Sequence, residues 1–404
     1  MPAAPQEEAS APARAVRRQE RDAMNAVERM RAMFEGGPVD HLPRYPFGFF
    51  PQTFERWERE GAPPDVIKDG GAGPRFDEYF GFDPGGWGGV WVVQALDLGW
   101  CEAPLVPPYE EKVLRVEGGH EVVQDWVGRH CVFPIGQRQQ VMPTYIKHAV
   151  ASREDWQRDV RPRLDLGTPE RWKDYEAKAG RAREAVACGE RLHSANIVGG
   201  YMYLRSLVGP VELLYLFHDA PDLVRDMMQV WRDLVVACLK RCQADVGPFF
   251  RLYLGEDICY NHGPLISPAM MREFLLPYYR ELYQELRAGQ KEPLHFEIDT
   301  DGDCRPVIEV YREVGVDAMS PFEVASGCDV VELGRKYPDM HMRGGMDKRV
   351  LAQGPEAIDR MLERILPTMV RRGRYVPSSD HSVPDDVSLA SYRHYRRRVM
   401  ELDH

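Results

Sequence analysis

Apolar positions in NAVERMRAMFEGGP recur at helical intervals through Val27, Met30, Met33 and Phe34, and the pattern stops at Gly36-Gly37-Pro38. That spacing and punctuation predict a short amphipathic helix. LPRYPFGFF then reads as a first strand, and PQTFERWEREGAP resumes a helix. Between about residues 80 and 143 the texture changes to alternating Val, Trp and Leu with frequent Gly and Pro, as in GGVWVVQALDLGW, KVLRVEGGH and EVVQDWVGRHCVFPIG. Short β-rich runs joined by turns such as Glu117-Gly118-Gly119-His120 predict an antiparallel meander, inserted in a larger fold or lying over it as a lid or a subunit contact. From Ser152 the pattern turns helical, and then strand and helix alternate to the end. The candidate strands are SANIVGGYM, FFRLYLGED, LHFEID, AMSPFEV, MHMRGGM and RYVPSSDH, most of them separated by long helical patterns.

Strict alternation over more than half the chain predicts parallel strands with crossover helices. Counting Leu42 to Phe50 and one strand near Val90 gives eight, and neither G-x-G-x-x-G nor a Walker A sequence is present to favour an open nucleotide-binding sheet. The predicted fold is therefore an α/β (β/α)8 TIM barrel with an N-terminal helical extension. It would occupy residues 25–404, carry the β-rich insertion at about 80–143, and follow a loosely ordered lead-in at 1–24.

Composition narrows the function classes. The net charge of −11 over 404 residues leaves no broad basic surface, which argues against nucleic acid and anionic membranes as partners. No apolar run approaches a bilayer span, and the Ala-, Pro- and charge-rich start lacks the apolar core of a signal peptide. The eight cysteines are scattered without CxxC pairs, which suits a reducing compartment. A cytoplasmic protein acting on a small molecule is the expectation.

The centre of the chemistry is LHFEIDTDGDC, an apolar run that ends in Glu297, Asp299, Asp301 and Asp303. Asp301-Gly302 alone could be a hairpin turn. A parallel barrel, however, gathers its functional groups where strands end, and five successive predicted strands end in polar residues: Glu256 and Asp257; Asp299, Asp301 and Asp303; Glu323; Asp347, Lys348 and Arg349; Asp380 and His381. Tyr260, Asn261 and His262 continue from the first of these ends. Lys348 and Arg349 follow Gly344-Gly345, where a barrel often binds phosphate or carboxylate, although a salt bridge to Asp347 or Glu323 would use the same charges. Phe47, Phe49, Phe50 and Trp57 offer an apolar wall.

The runs GEDICYNHGPLISPAMMREFLLPYY, DTDGD, PFEV, GGMDKR and GRYVPSSDHSVPDDVSLASYRHY closely resemble the uroporphyrinogen decarboxylase-like superfamily, which includes cobalamin-dependent methyltransferases for methanol, methylamines and aryl methyl ethers. True uroporphyrinogen decarboxylases carry an arginine-rich segment after the first strand. Here LPRYPFGFFPQTFERWEREG places Phe and Tyr where cations are needed, so the resemblance points to the methyltransferase branch. That branch binds zinc through His-x-Cys on the matching strand and a further Cys on the last. Aligned on Gly-Asp, those positions fall on Asp299, Asp301 and His381, a harder donor set that would suit an oxygen donor or acceptor. A rival pair, His295 and Glu297, lies deeper within the strand.

The resemblance thus implies a homodimeric enzyme that moves a methyl group between a small substrate and a corrinoid (cobalamin) carried by a partner protein. A divalent metal, zinc by family, would be held by Asp299, Asp301 and His381. Glu256, Asp301, Glu323 and His381 would serve catalysis, while Asp257, Tyr260, Asp347, Lys348, Arg349 and Asp380 would hold substrate. The alternatives are a metal-free decarboxylase or lyase acting on a small carboxylated substrate, and a binding protein without catalysis.

Overall fold

The computed structural model describes residues 24–138 and 142–404; apart from Met24, the expected lead-in lies outside the described residues. The expected alternation forms one curled sheet. Its seven strands are β1 (Trp91–Val93), β6 (Leu192–Val198), β7 (Arg251–Gly255), β10 (His295–Asp299), β11 (Ala318–Ser320), β12 (His341–Arg343) and β13 (Tyr375–Val376), in that spatial order. Every pairing between them is parallel.

The eighth position is held by the segment read as the first strand, but without a regular ladder. Phe49 makes a single parallel bridge to Val383, and the Val383 amide donates to the Gly48 carbonyl at 2.9 Å. Pro43 and Pro46 lack the amide protons that a ladder needs. The sheet is therefore a half-barrel of seven strands closed by an extended segment.

Alternation along each strand sorts side chains between lumen and helix layer. On β7, Leu252 and Leu254 turn outward into the main apolar core. Arg251 and Tyr253 turn inward, where Arg251 donates to Glu297 at 2.9 Å and to Ser194 at 3.1 Å. On β10, Phe296 and Ile298 face the helices, while His295, Glu297 and Asp299 line the lumen from one end to the other. The middle of the barrel is thus a buried ion pair, with the Arg251 guanidinium 4.0 Å from the Trp91 ring centre.

The lower end is closed by the helix Ala26–Glu35. Asn25 caps it by accepting from the Glu28 amide, and Glu28 accepts in return from the Asn25 amide, both at 2.9 Å. Its buried face, Met30, Met33 and Phe34, packs with Tyr45, Trp91, Phe250 and Val376 into a separate apolar cluster. Strands β2 (Lys112–Glu117), β3 (His120–Gln124), β4 (His130–Pro134) and β5 (Thr144–Lys147) form a four-stranded antiparallel sheet outside the barrel. Two further short strands, β8 (Cys259–Tyr260) and β9 (Gly263–Pro264), make a hairpin after β7. No helix among the described residues is long and apolar enough to cross a membrane.

Candidate active site

The C-terminal strand ends surround a cavity of about 450 Å³ bordered by Asp257, Asp299, Asp301, His381, Tyr253 and Arg343, with Phe47 and Trp100 among its other walls. Asp299 is the last residue of β10. Its Oδ2 accepts hydrogen bonds of 2.7 Å from both the Tyr253 and the Ser320 hydroxyls. Burial pushes this carboxyl up to about 7; the two hydroxyls and the nearby Arg343 charge only partly offset that effect. Near neutral pH it is therefore poised to give or take a proton.

Asp301 follows two residues on, in the loop after β10, and the His381 imidazole Nε2 stands 3.4 Å from its Oδ2. That partner raises the histidine's pKa from its ordinary value, against the effect of burial. The rings of Phe47 and Phe50 lie 5.5 Å and 6.1 Å from the imidazole. Burial and the Asp301 charge raise Asp257, which sits at a φ of 38° and has Arg205 3.5 Å away. A non-glycine residue in that left-handed region carries local strain of a kind that gathers at functional sites. Between Asp301 and Asp303, Gly302 has a φ of +78°, and a Cβ there would meet the Tyr260 carbonyl oxygen at 2.6 Å. Only glycine lets the loop turn under that carbonyl.

Of the other expected site residues, Glu256 also borders the cavity, and the rest form a supporting shell. Glu256 is fully buried, with its Oε1 accepting from the Tyr279 and Tyr311 hydroxyls and its Oε2 from the Tyr201 amide. Burial raises its pKa to about 8, yet these bonds tie its carboxyl to the helix layer. Glu323 accepts from Lys348 at 3.0 Å and from the Gly302 amide at 3.0 Å, so it braces the Asp301 loop. Asp380 accepts from the Val324 and Lys348 amides, both at 2.9 Å. Arg349 is paired with Asp347, and Asp303 with Arg305. Tyr260 is half exposed on the β8–β9 hairpin and does not border the cavity. Of the aromatic wall, Phe47 reaches the cavity, whereas Phe49 and Trp57 pack together at 5.6 Å in the core.

Sequence reading missed Tyr253, Arg343 and Trp100. Tyr253 and Arg343 had a signal: each stands two residues after another polar residue, Arg251 or His341, on the lumen-facing alternation of its strand. Trp100, stacked on Tyr253 at 4.5 Å, comes from an irregular loop that carries no periodicity.

The expected mouth donors, Asp299, Asp301 and His381, are not gathered into a cluster of ligand atoms all within 4.8 Å of one another. Among the described residues, the trio of His, Cys, Asp or Glu whose ligand atoms all lie within 4.8 Å of one another is His295, Asp317 and His341, at the other end of the barrel. Asp301 and His381 are engaged with each other, and Asp299 is turned to its two hydroxyls. The one thiol on the cavity wall, Cys101, is pushed up to about 12 by burial and so stays protonated.

A parallel α/β barrel with a polar cavity at its strand ends defines a protein built for small-molecule chemistry. The sequence model of uroporphyrinogen decarboxylase (URO-D) matches residues 183–402, and the chain belongs to that family. It is 35% identical over 101 residues to uroporphyrinogen decarboxylase of Rhodococcus erythropolis and 30% identical over 101 residues to that of Rhodococcus jostii. Each match covers 25% of this chain and 26% of the relative, so the similarity spans about a quarter of either protein. The fold is also that of a methyltransferase from Methanosarcina mazei, with a TM-score of 0.53 at 14% identity, covering 94% of this chain and 99% of the other.

Proposed function

We propose that this protein is a metal-independent carboxy-lyase acting on a small carboxylated substrate in the mouth cavity. The observation that carries the reading is a buried strand-end carboxyl, Asp299, held by two hydroxyls and pushed up to about 7 by burial, in a cavity also walled by the Arg343 guanidinium. Arg343 stands where it can hold a substrate carboxylate, its guanidinium 4.9 Å from the Phe47 ring centre. Cleavage of the bond to carbon dioxide leaves its electron pair on the substrate carbon, and protonated Asp299 supplies the proton to that carbon. Solvent restores the proton through the Asp301–His381 pair. Arg343 is the one arginine among the cavity's lining residues, which favours a substrate with one or two carboxylates over a polycarboxylated macrocycle.

The apolar side of the cavity, Phe47 and Trp100, supports a second reading that keeps the same proton donor. In methyl transfer to a corrinoid on a partner protein, Asp299 would protonate the departing heteroatom. The two readings separate on product. The full chain is incubated in D₂O with a panel of small carboxylic acids, and carbon dioxide and deuterated product are measured; loss of both in Asp299→Asn and Arg343→Met is the expected result. Methylation of Co(I) cobalamin from a methyl ether or amine, without carbon dioxide release, would replace the first reading with the second.

A further inference from the structure

We propose that Cys304 and Cys328 form a reversible disulfide in response to hydrogen peroxide, and that this bond turns the loop carrying Asp301. The two thiols belong to the segments that follow β10 and β11, and they are 2% and 0% exposed. Their Sγ atoms lie 3.7 Å apart. Closing to the roughly 2.05 Å of a disulfide asks less than about an ångström of each side chain.

Each thiol is next in sequence to an exposed residue, Arg305 beside Cys304 and Gly327 beside Cys328. The Arg305 guanidinium lies over Gly327, where a Cβ would meet its Nη2 at 3.0 Å. A flexible cationic side chain thus covers this part of the loop. The Cys304 hydrogen bond, with the Arg305 charge beside it, lowers the Cys328 pKa from its ordinary value against the effect of burial, whereas the same bond and burial raise that of Cys304. Cys328 is therefore the attacking thiolate and Cys304 the resolving thiol. The Cys328 thiolate attacks one peroxide oxygen, the O–O bond breaks, and the departing hydroxide takes the Cys304 proton to become water. Cys304 then attacks the Cys328 sulfur. The S–S bond forms as the S–O bond breaks, and the second hydroxide leaves and takes up the proton that Cys328 had lost. Two thiols give up two electrons, and one hydrogen peroxide becomes two waters. Thiol exchange with a small dithiol restores the pair.

The pair reaches the mouth through Gly302. In its thiol form Cys328 donates to the Gly302 carbonyl at 3.5 Å, and the Gly302 amide donates to Glu323 Oε2 at 3.0 Å. Both peptide groups of the residue after Asp301 are held in this way. Oxidation removes the Cys328 proton and draws Cys304, two residues beyond Gly302, toward Cys328. The carbonyl loses its donor, the loop turns, and Asp301 moves relative to His381 Nε2, which stands 3.4 Å from it in the reduced protein.

The test uses the full chain, reduced completely, exposed to hydrogen peroxide and mapped by peptide mass without reductant. The expected result is one peptide pair joined through Cys304 and Cys328, lighter by two hydrogens and separated again by dithiothreitol. Nuclear magnetic resonance signals of the His381 ring should shift on oxidation and return on reduction. Cys328→Ser keeps a hydroxyl donor for the Gly302 carbonyl, so in that variant peroxide should leave the His381 signals in place. Recovery of Cys304 and Cys328 as free thiols, or as separate sulfinic acids, while the exposed Cys188 is oxidised, overturns the disulfide. A joined pair with unmoved His381 signals overturns its action on the loop. Both wild-type measurements stand whether or not the variant folds.

Discussion

The two ends of the barrel share their strands and differ in what those strands meet. One face of β10 shows the contrast, since His295, Glu297 and Asp299 stand in a row from the closed end to the mouth. At the bottom, His295 meets the Phe34 and Phe250 rings of the plugged end. At the centre, Glu297 is matched by Arg251 and the lumen is filled. At the top, Asp299 has hydroxyl partners and a cavity above it, and burial lifts its pKa although the Arg343 charge nearby works against the rise. The same strand geometry thus yields a plug, a brace and a titrating acid, according to whether the neighbours supply rings, an opposite charge or open space.

The largest effect that would break this comparison lies at the top. Asp299→Asn should lower turnover by roughly 10²–10⁴-fold while leaving the urea midpoint unmoved or raised, because a buried ionisable carboxyl is removed. A parallel loss of stability would mean that Asp299 belongs to the brace. The centre should behave in the opposite way. Glu297→Ala leaves the Arg251 charge buried without its carboxylate and should cost about 3–5 kcal/mol of unfolding free energy, read from urea denaturation.

Acidity sharpens the contrast further. Because Asp299 must be protonated to donate, turnover should fall about tenfold per pH unit above about pH 7, and Asp299→Asn should lose that limb. The folded-state value is raised from 3.8 to about 7, so between those values the folded protein holds a proton that the unfolded chain has released. The Asp299 contribution to stability therefore falls as pH rises through this window and levels off above it. Wild type minus Asp299→Asn stability, measured across the window, should show that slope. The smallest effect belongs to the plug: Asn25→Ala removes the helix cap and should cost about 1 kcal/mol, seen as a lower thermal midpoint with turnover unchanged.

Much of this was legible in the chain. The β10 acids were found because strand ends in a parallel barrel carry chemistry, and the Lys348–Glu323 contact was foreseen as one of two uses for that lysine. The partners that tie down the Glu256 carboxyl were not legible, because Tyr201, Tyr279 and Tyr311 come from distant helices. The first strand failed to become a ladder for a reason printed in it, the two prolines. The His295, Asp317 and His341 cluster was invisible because its members are 22 and 24 residues apart and meet only when three strands align.

The helix that plugs the barrel also bears on how the protein is made. Arg374 reaches the Phe34 carbonyl across 340 residues of sequence, and Arg44 pairs with Asp403 across 359. Contacts of such separation form late, because the long intervening loop must be closed before they return any energy. During synthesis the opening helix can meet Tyr45, Trp91 and Phe250 early, but its packing with Val376 and its contact with Arg374 must wait until the last strand has emerged. Chaperone capture of nascent chains should be strongest in that interval, and it should end once residues 374–403 leave the ribosome.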